Sequence, residues 1–360
     1  MRIGLYGLPC AGKSFILNKI DFLKVIEGST TMKKLFPDFD TCDETEKNEI
    51  RKRFAVWLQS EKNFITDGHY AFGDKVAFTE ADGALYDIFL YLYINPKILK
   101  IRMDESPKNQ KYADWDIDKW QKSEITALRA YCHEHDKDFF VIDNPPIGYF
   151  DDVEEVIEFI KSVSEGYSCV RFARNCTEEI LLNEHRQKQI ILADGDKTIT
   201  RKDTTNQIFG YTTHIFDNNF YSGYQTWKHN KNFTEQDKNK IHLKIDYIQE
   251  NKMPFELNDM VVDKLNKHSY ILTSGDGRIW ECIAKYLGIK CFYGSQMAAD
   301  TKFFITKFLR QAGKYVIAYG DSMNDYYMLN AADEGYLITK TDGTISSSLK
   351  SMHLGGIKVV

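Results

Sequence analysis

Two consecutive α/β domains, each built on a parallel sheet, are what this 360-residue chain predicts for itself. Its length exceeds what one core usually organises and suits two. Short apolar runs alternate with longer amphipathic stretches along the whole sequence, the pattern of strands and helices in α/β layers. The hydrophobic fraction of 43% is ordinary for a globular protein, so both halves can bury a core.

In the first half the strand candidates are RIGLYG (2–7), KVIEG (24–28), NFITDG (63–68), YDIFLYLYI (86–94) and DFFVID (138–143). Helical patterns separate them, for example Glu44 to Ser60 and Asp116 to His133, and a last helix from about Asp151 to Ser164 closes a domain of residues 1–165. Residues 166–185 mix charge, small residues and a short helix, and are read as a linker. A second domain, 186–360, opens with QIILAD (189–194). Its later strands are expected at SYILTS (269–274), IKCFYG (289–294), KYVIAYG (314–320) and GYLIT (335–339). Residues 203–268 carry aromatics and charges but few strand-like runs, and read as a helical insertion.

The net charge of −5 shows no basic excess for gripping a polynucleotide backbone. The seven cysteines are scattered and none forms a CxxC pair, which argues against a zinc knot or a disulfide framework. A reducing cytoplasm is the expected setting. The chain runs from Met1 directly into MRIGLYG without a charged-then-apolar leader, and no apolar run approaches the ~20 residues of a membrane span.

Gly7-Leu8-Pro9-Cys10-Ala11-Gly12-Lys13-Ser14 fits GxxxxGK(S/T) between a short strand and the helical run SFILNKI. In that context successive backbone N–H groups surround the β- and γ-phosphates of a nucleotide. Lys13 would offset charge during transfer and the Ser14 hydroxyl would ligate Mg²⁺. The following helix would offer its positive end to the same anion. The loop and the α/β layout over most of 1–160 resemble the nucleoside-monophosphate kinase group of the P-loop fold. That resemblance implies ATP, or another nucleoside triphosphate, as cofactor. It also implies an acidic residue at the end of the third strand, and FITDGH places Asp67 there, with His69 either packing or acting chemically. A cationic lid is implied as well, with Arg102 as the preferred lid cation and Lys108 and Lys111 as alternatives. Arg51 and Arg53 lie on the helix expected to face the acceptor, or else form a solvated face.

Ile191-Leu192-Ala193-Asp194-Gly195-Asp196-Lys197-Thr198 reads as a strand followed by DxDxT. Further on come ILTSG with Ser274 and Gly275, a lysine at 302 in AADTKFF, and Gly320-Asp321-Ser322-Met323-Asn324-Asp325. Four motifs in this order resemble the haloacid dehalogenase superfamily, whose core is Rossmann-like. The resemblance implies Asp194 as the nucleophile and Asp196 as general acid and base. Mg²⁺ would be held by Asp194, the Asp196 carbonyl, Asp321 and Asp325, and the phosphoryl group by Ser274, Gly275 and Lys302, with Lys307 the runner-up lysine. Thr198 is expected to hydrogen-bond locally and hold the nucleophile loop. The insertion of roughly 75 residues after Thr198 far exceeds a usual connection and resembles the helical cap of the phosphoserine-phosphatase branch. Asp203 stands where that branch contacts substrate. Phe220, Tyr221, Tyr224 and Trp227 either line the pocket or form the cap core.

A kinase joined to a phosphatase admits three arrangements. The favoured one is sequential metabolism of a small phosphorylated compound. A polynucleotide 5′-kinase/3′-phosphatase shares the domain order, but the cap and the lack of a basic stretch count against it. A nucleotide-sensing regulator is disfavoured because the catalytic carboxylates and both phosphate-binding lysines are present.

Overall fold

A computed structural model of the chain describes residues 1–73, 75–112, 114–143, 153–210, 214–231, 235–250 and 252–360, with side chains left out at 235–238. It divides into two compact units, Met1–Tyr167 and Ser168–Val360.

The first unit holds β1 (Arg2–Tyr6), β2 (Lys24–Ile26), β3 (Phe64–Asp67), β4 (Ala71–Phe72), β5 (Lys75–Val76), β6 (Ile88–Leu92) and β7 (Asp138–Ile142). Five of these form one parallel sheet in the order β2-β3-β1-β6-β7, while β4 and β5 pair as a small antiparallel hairpin. β6 and β7 are buried at every residue, because helices cover both faces of a parallel sheet; hence continuous apolar runs rather than alternation. The helix Glu44–Leu58 starts where Asp43 and Glu46 cap each other's backbone N–H, so its first turn is satisfied locally. The helix read over 151–164 is described from Val153 to Ser164; Asp151 lies outside the described residues.

The second unit holds β8 (Gln189–Ala193), β9 (Ser269–Thr273), β10 (Lys290–Tyr293), β11 (Tyr315–Gly320), β12 (Glu334–Leu337) and β13 (Lys358–Val359). They make one all-parallel sheet in the order β10-β9-β8-β11-β12-β13. The predicted pair of α/β domains on parallel sheets is what the chain forms. β13 was not legible in the sequence, being a two-residue edge strand.

The linker reading of 166–185 is corrected. Cys169–Asn183 is a helix whose buried side chains Val170, Ala173, Cys176 and Ile180 pack into the second unit's core with Phe304, Phe308 and Leu309. Its exposed face, including Leu182 and two glutamates, hid that allegiance.

The insertion is helical, with Thr204–Phe209, Gly223–Lys231, Glu235–Gln249 and Asp259–Val262. Its two ends are zipped together: Arg201 N–H donates to Glu256 O at 2.8 Å and Asn258 N–H to Ile199 O at 2.8 Å. Its apolar residues Phe209, Ile241, Ile248 and Phe255 share one cluster with Ile279, Trp280 and Ile283. The insertion is therefore seated on the sheet unit by a continuous core rather than carried on a bare hinge.

Candidate active sites

Parallel strands all end on one edge, and each unit gathers its polar residues there. In the first unit β1 leads into the loop 7–12, where Gly12 takes φ 96°, a left-handed conformation that a side chain would strain. That turn brings Lys13 back over the loop. Its Nζ donates to Gly7 O at 2.6 Å and Leu8 O at 3.1 Å, and burial pulls its pKa down to about 8. A cavity of about 310 Å³ opens over Lys13, bordered by Ser14, Asp67, His69, Lys108 and Asn109. Asp67 is held in place by the Gly28 N–H, which it accepts at 2.8 Å. His69 packs on Phe72 with ring centroids 4.6 Å apart; burial lowers its pKa, and its Nδ1 has no hydrogen-bond partner.

Two expectations look different in three dimensions. The helix after the loop is only Lys13–Leu17, so its dipole adds little beyond the local N–H groups. Arg102 sits in the last turn of Pro96–Asp104 and is not among the residues bordering the cavity, whereas Lys108 is; Lys111 lies over the Tyr112 ring. Arg51 and Arg53 lie over the rings of Phe39 and Phe36, a packing role for their cations.

A buried acid that the sequence did not single out lies near this cavity. Glu124 accepts from Tyr91 Oη at 2.9 Å, Trp120 Nε1 at 3.0 Å and Ala71 N–H at 3.0 Å. Burial nonetheless pushes its pKa up to about 7. A raised carboxyl favours the protonated folded form, so its contribution is full below the ordinary value of 4.5 and is lost as pH rises through about 7. The shift corresponds to about 3 kcal/mol across that window. Glu124→Gln keeps the acceptor for Trp120 and Ala71 and cannot ionise. Urea unfolding of the first unit between pH 5 and 8 is therefore expected to weaken with pH in the natural protein and much less in the variant; equal slopes would remove Glu124 as the cause.

In the second unit the edge residues converge more tightly. Asp194 follows β8, Ser274 follows β9 and Asp321 follows β11, with β8 lying between the other two strands. Lys302, buried on the helix Ala299–Gln311, donates to Asp194 Oδ1 at 2.5 Å and to Asp325 Oδ1 at 2.7 Å. The other Asp325 oxygen accepts the Asp321 and Ser322 N–H groups at 3.1 and 3.2 Å. Carboxylate oxygens of Asp194, Asp321 and Asp325 lie within 4.8 Å of one another. Burial, reinforced by Asp325, raises Asp194 to about 7, and burial with Asp325 and Asp194 holds Asp321 well above the ordinary carboxylate range. Burial opposes the charge on Lys302, yet Asp194 and Asp325 outweigh it and raise its pKa. Three hard oxygen donors that repel one another form a set suited to Mg²⁺.

The loop after Asp194 turns sharply, with Lys197 at φ 62°. Asp196 is buried, raised to about 6, and accepts the Thr204 N–H through Oδ1 at 2.6 Å. Its Oδ2 faces Gly275: a Cβ there would lie 2.9 Å from that oxygen and 2.5 Å from Trp280 Nε1, so only glycine lets the β9 loop approach. The Thr198 hydroxyl, expected to brace this loop, is buried without a partner; Asn258 Nδ2 holds the loop instead, donating to Thr198 O at 3.1 Å. Asp203 borders the cavity beside Asp321, with one oxygen accepting the Asn206 N–H and the other paired to Lys197 at 2.9 Å. Lys307 lies over the Phe304 ring, while Lys302 is the lysine bonded to Asp194. Phe220 and Tyr224 are buried and Trp227 stacks on Tyr224, forming a packed core. Tyr221 feels the carboxylates, its pKa raised to about 12 by burial and Asp321.

No family model matches the chain, and no curated protein matches it. Solved structures do. Shikimate kinase from Bacteroides thetaiotaomicron is similar over 46% of this chain and 98% of its own, at 15% identity and TM-score 0.33. A phosphoserine phosphatase in apo form is similar over 43% and 88%, at 15% identity and TM-score 0.25. A HAD family hydrolase from Salmonella enterica subsp. enterica serovar Typhi is similar over 53% and 76%, at 13% identity and TM-score 0.31. At such scores none of them assigns a chemistry to this chain.

Proposed function

We propose that the chain is a bifunctional enzyme. In this reading its second unit hydrolyses phosphomonoesters through a phosphorylated aspartate, and its first unit transfers a phosphoryl group from ATP or a related triphosphate to a small molecule. The observation that carries the hydrolase reading is Lys302, fully buried between Asp194 and Asp325 at the strand edge beside Asp321. A buried ion pair is weak evidence for stability, so this arrangement asks for a chemical use.

An Asp194 carboxylate oxygen attacks phosphorus and the bond to the ester oxygen breaks. Asp196, held near neutral by burial, protonates the departing alcohol. Asp196 then takes a proton from water as that water attacks the same phosphorus; inorganic phosphate leaves and the Asp194 carboxylate is restored. Lys302 and Ser274 would hold the phosphoryl oxygens. Mg²⁺ held by Asp194, Asp321 and Asp325 would neutralise charge around the phosphate. In the first unit, Lys13 would leave the Gly7 and Leu8 carbonyls for the migrating phosphate, with Ser14 toward Mg²⁺ and Asp67 toward the acceptor hydroxyl.

Among the described residues no helix is long and apolar enough to cross a membrane, and no disulfide joins any of the seven cysteines. The test is a phosphate-release screen of phospho-sugars, phospho-amino acids, nucleotides and 3′-phosphorylated oligonucleotides; turnover of the oligonucleotide alone would replace this reading with nucleic-acid end processing. Mg²⁺ is expected to raise the melting temperature of the second unit, by about 2.7 kcal/mol of stability at a hundredfold excess over its Kd, and EDTA to reverse the gain. Asp321→Asn should lose most of that response; a full response in the variant would place the ion elsewhere.

A further inference from the structure

The cavity that meets the carboxylate cluster at Asp321 carries more positive charge than one phosphate uses. It holds about 370 Å³ and runs from Asp321 to Arg201, Lys202, Asn258 and Lys340. Lys197 on its border is already compensated by Asp203. Among the described residues the side chains of Arg201, Lys202 and Lys340 make no ion pair or hydrogen bond. These three cations come from two separate places that backbone bonds fix. Arg201 is pinned to Glu256 O at the root of the insertion, and Lys340 is bonded to Thr344 O at 2.8 Å in the turn after β12. Like charges gathered around one cavity repel, and an anion within it turns that cost into binding.

An independent feature lies in the same wall. Asn258 is 2% exposed, and its Nδ2 donates to Thr198 O, which fixes the amide's orientation. Its Oδ1 is buried with no partner. A buried acceptor left alone costs free energy, which a ligand hydroxyl would recover. A space of this size suits one metabolite, not a strand.

Building on the hydrolase reading above, we infer that this site selects small molecules carrying two phosphate groups. One phosphate reacts at Asp194, the second sits against Arg201, Lys202 and Lys340, and a substrate hydroxyl donates to Asn258.

The full chain with Mg²⁺ is assayed on p-nitrophenyl phosphate, on a 3′-phosphorylated oligonucleotide, and on three pairs. These are fructose 6-phosphate and fructose 1,6-bisphosphate, 3-phosphoglycerate and 2,3-bisphosphoglycerate, and adenosine 3′-phosphate and adenosine 3′,5′-bisphosphate. In at least one pair the bisphosphate is expected to lead in kcat/KM by about tenfold or more, through KM, as an added charge-assisted contact implies. In Arg201→Gln/Lys340→Gln, and in Arg201→Ala/Lys340→Ala, the ratio within that pair falls toward one; because it is a ratio within one variant, a change in folded fraction does not move it. Equal rates in every pair, with p-nitrophenyl phosphate turned over, overturn the inference and leave the hydrolase reading standing. An unchanged ratio in both variants, or preference for the oligonucleotide, also overturns it. No release from any ester removes the hydrolase reading and this inference with it.

Discussion

Asp194→Asn is expected to lower phosphomonoester hydrolysis by about 10³-fold or more while leaving nucleotide-dependent transfer by the first unit intact. An amide oxygen cannot form the acyl phosphate, so the two-step route closes entirely. The fold should survive. Asn keeps the volume of Asp, and Lys302 retains Asp325 at 2.7 Å as its charged partner. Removing one of three crowded carboxylates also relieves the burial cost, and the added repulsion from Asp325, that raise Asp194 to about 7. Phosphate release and a melting curve, measured on the same preparation, check this. A folded variant retaining a tenth of the activity would mean that Asp194 is not the nucleophile.

The second large effect is at Lys13. Lys13→Met is expected to cut transfer from the triphosphate by about 10³-fold, since a charge beside the migrating phosphoryl group is lost, and to spare hydrolysis by the second unit. Stability should behave in the opposite way to activity. Burial lowers the pKa of Lys13 from 10.5 to about 8, so the unfolded chain binds more protons between those values. Natural stability therefore rises with pH across about 8 to 10.5, and at pH 7 the buried charge costs about 3 kcal/mol. Met has no such charge, so the variant's first unit should melt at or above the natural temperature at pH 7, and without that slope. A variant less stable at pH 7 but fully active would overturn both halves of this expectation.

Legibility in the sequence followed how local each signal is. Gly12-Lys13-Ser14 and Asp194-Gly195-Asp196 could be read because a tight glycine loop and a two-residue carboxylate spacing are set within one turn of backbone. The sheets could be read because parallel strands covered on both faces are continuous apolar runs, as in IFLYL of β6. The helix Cys169–Asn183 was visible as a short helix, but nothing in it tells which core its Ala173 and Ile180 will enter. Lys108 and Arg102 are equivalent as letters, and only the path of the chain sets one of them at the cavity.

By itself, then, the sequence determined two α/β halves and the chemical types gathered at each strand edge, since periodicity and motif spacing are local properties of the chain. Tertiary structure alone decided that Lys302 lies between Asp194 and Asp325, that Asn258 rather than the Thr198 hydroxyl braces the loop after Asp194, and that Arg201 and Lys340 share a cavity. Those pairs are 23 to 139 residues apart in sequence, and their meeting depends on strand order and on the closure of the insertion at Arg201 and Glu256. Burial did the rest: only when side chains lose water is Asp194 raised to about 7 and Asp321 well above the ordinary carboxylate range, and burial is set by packing from distant segments.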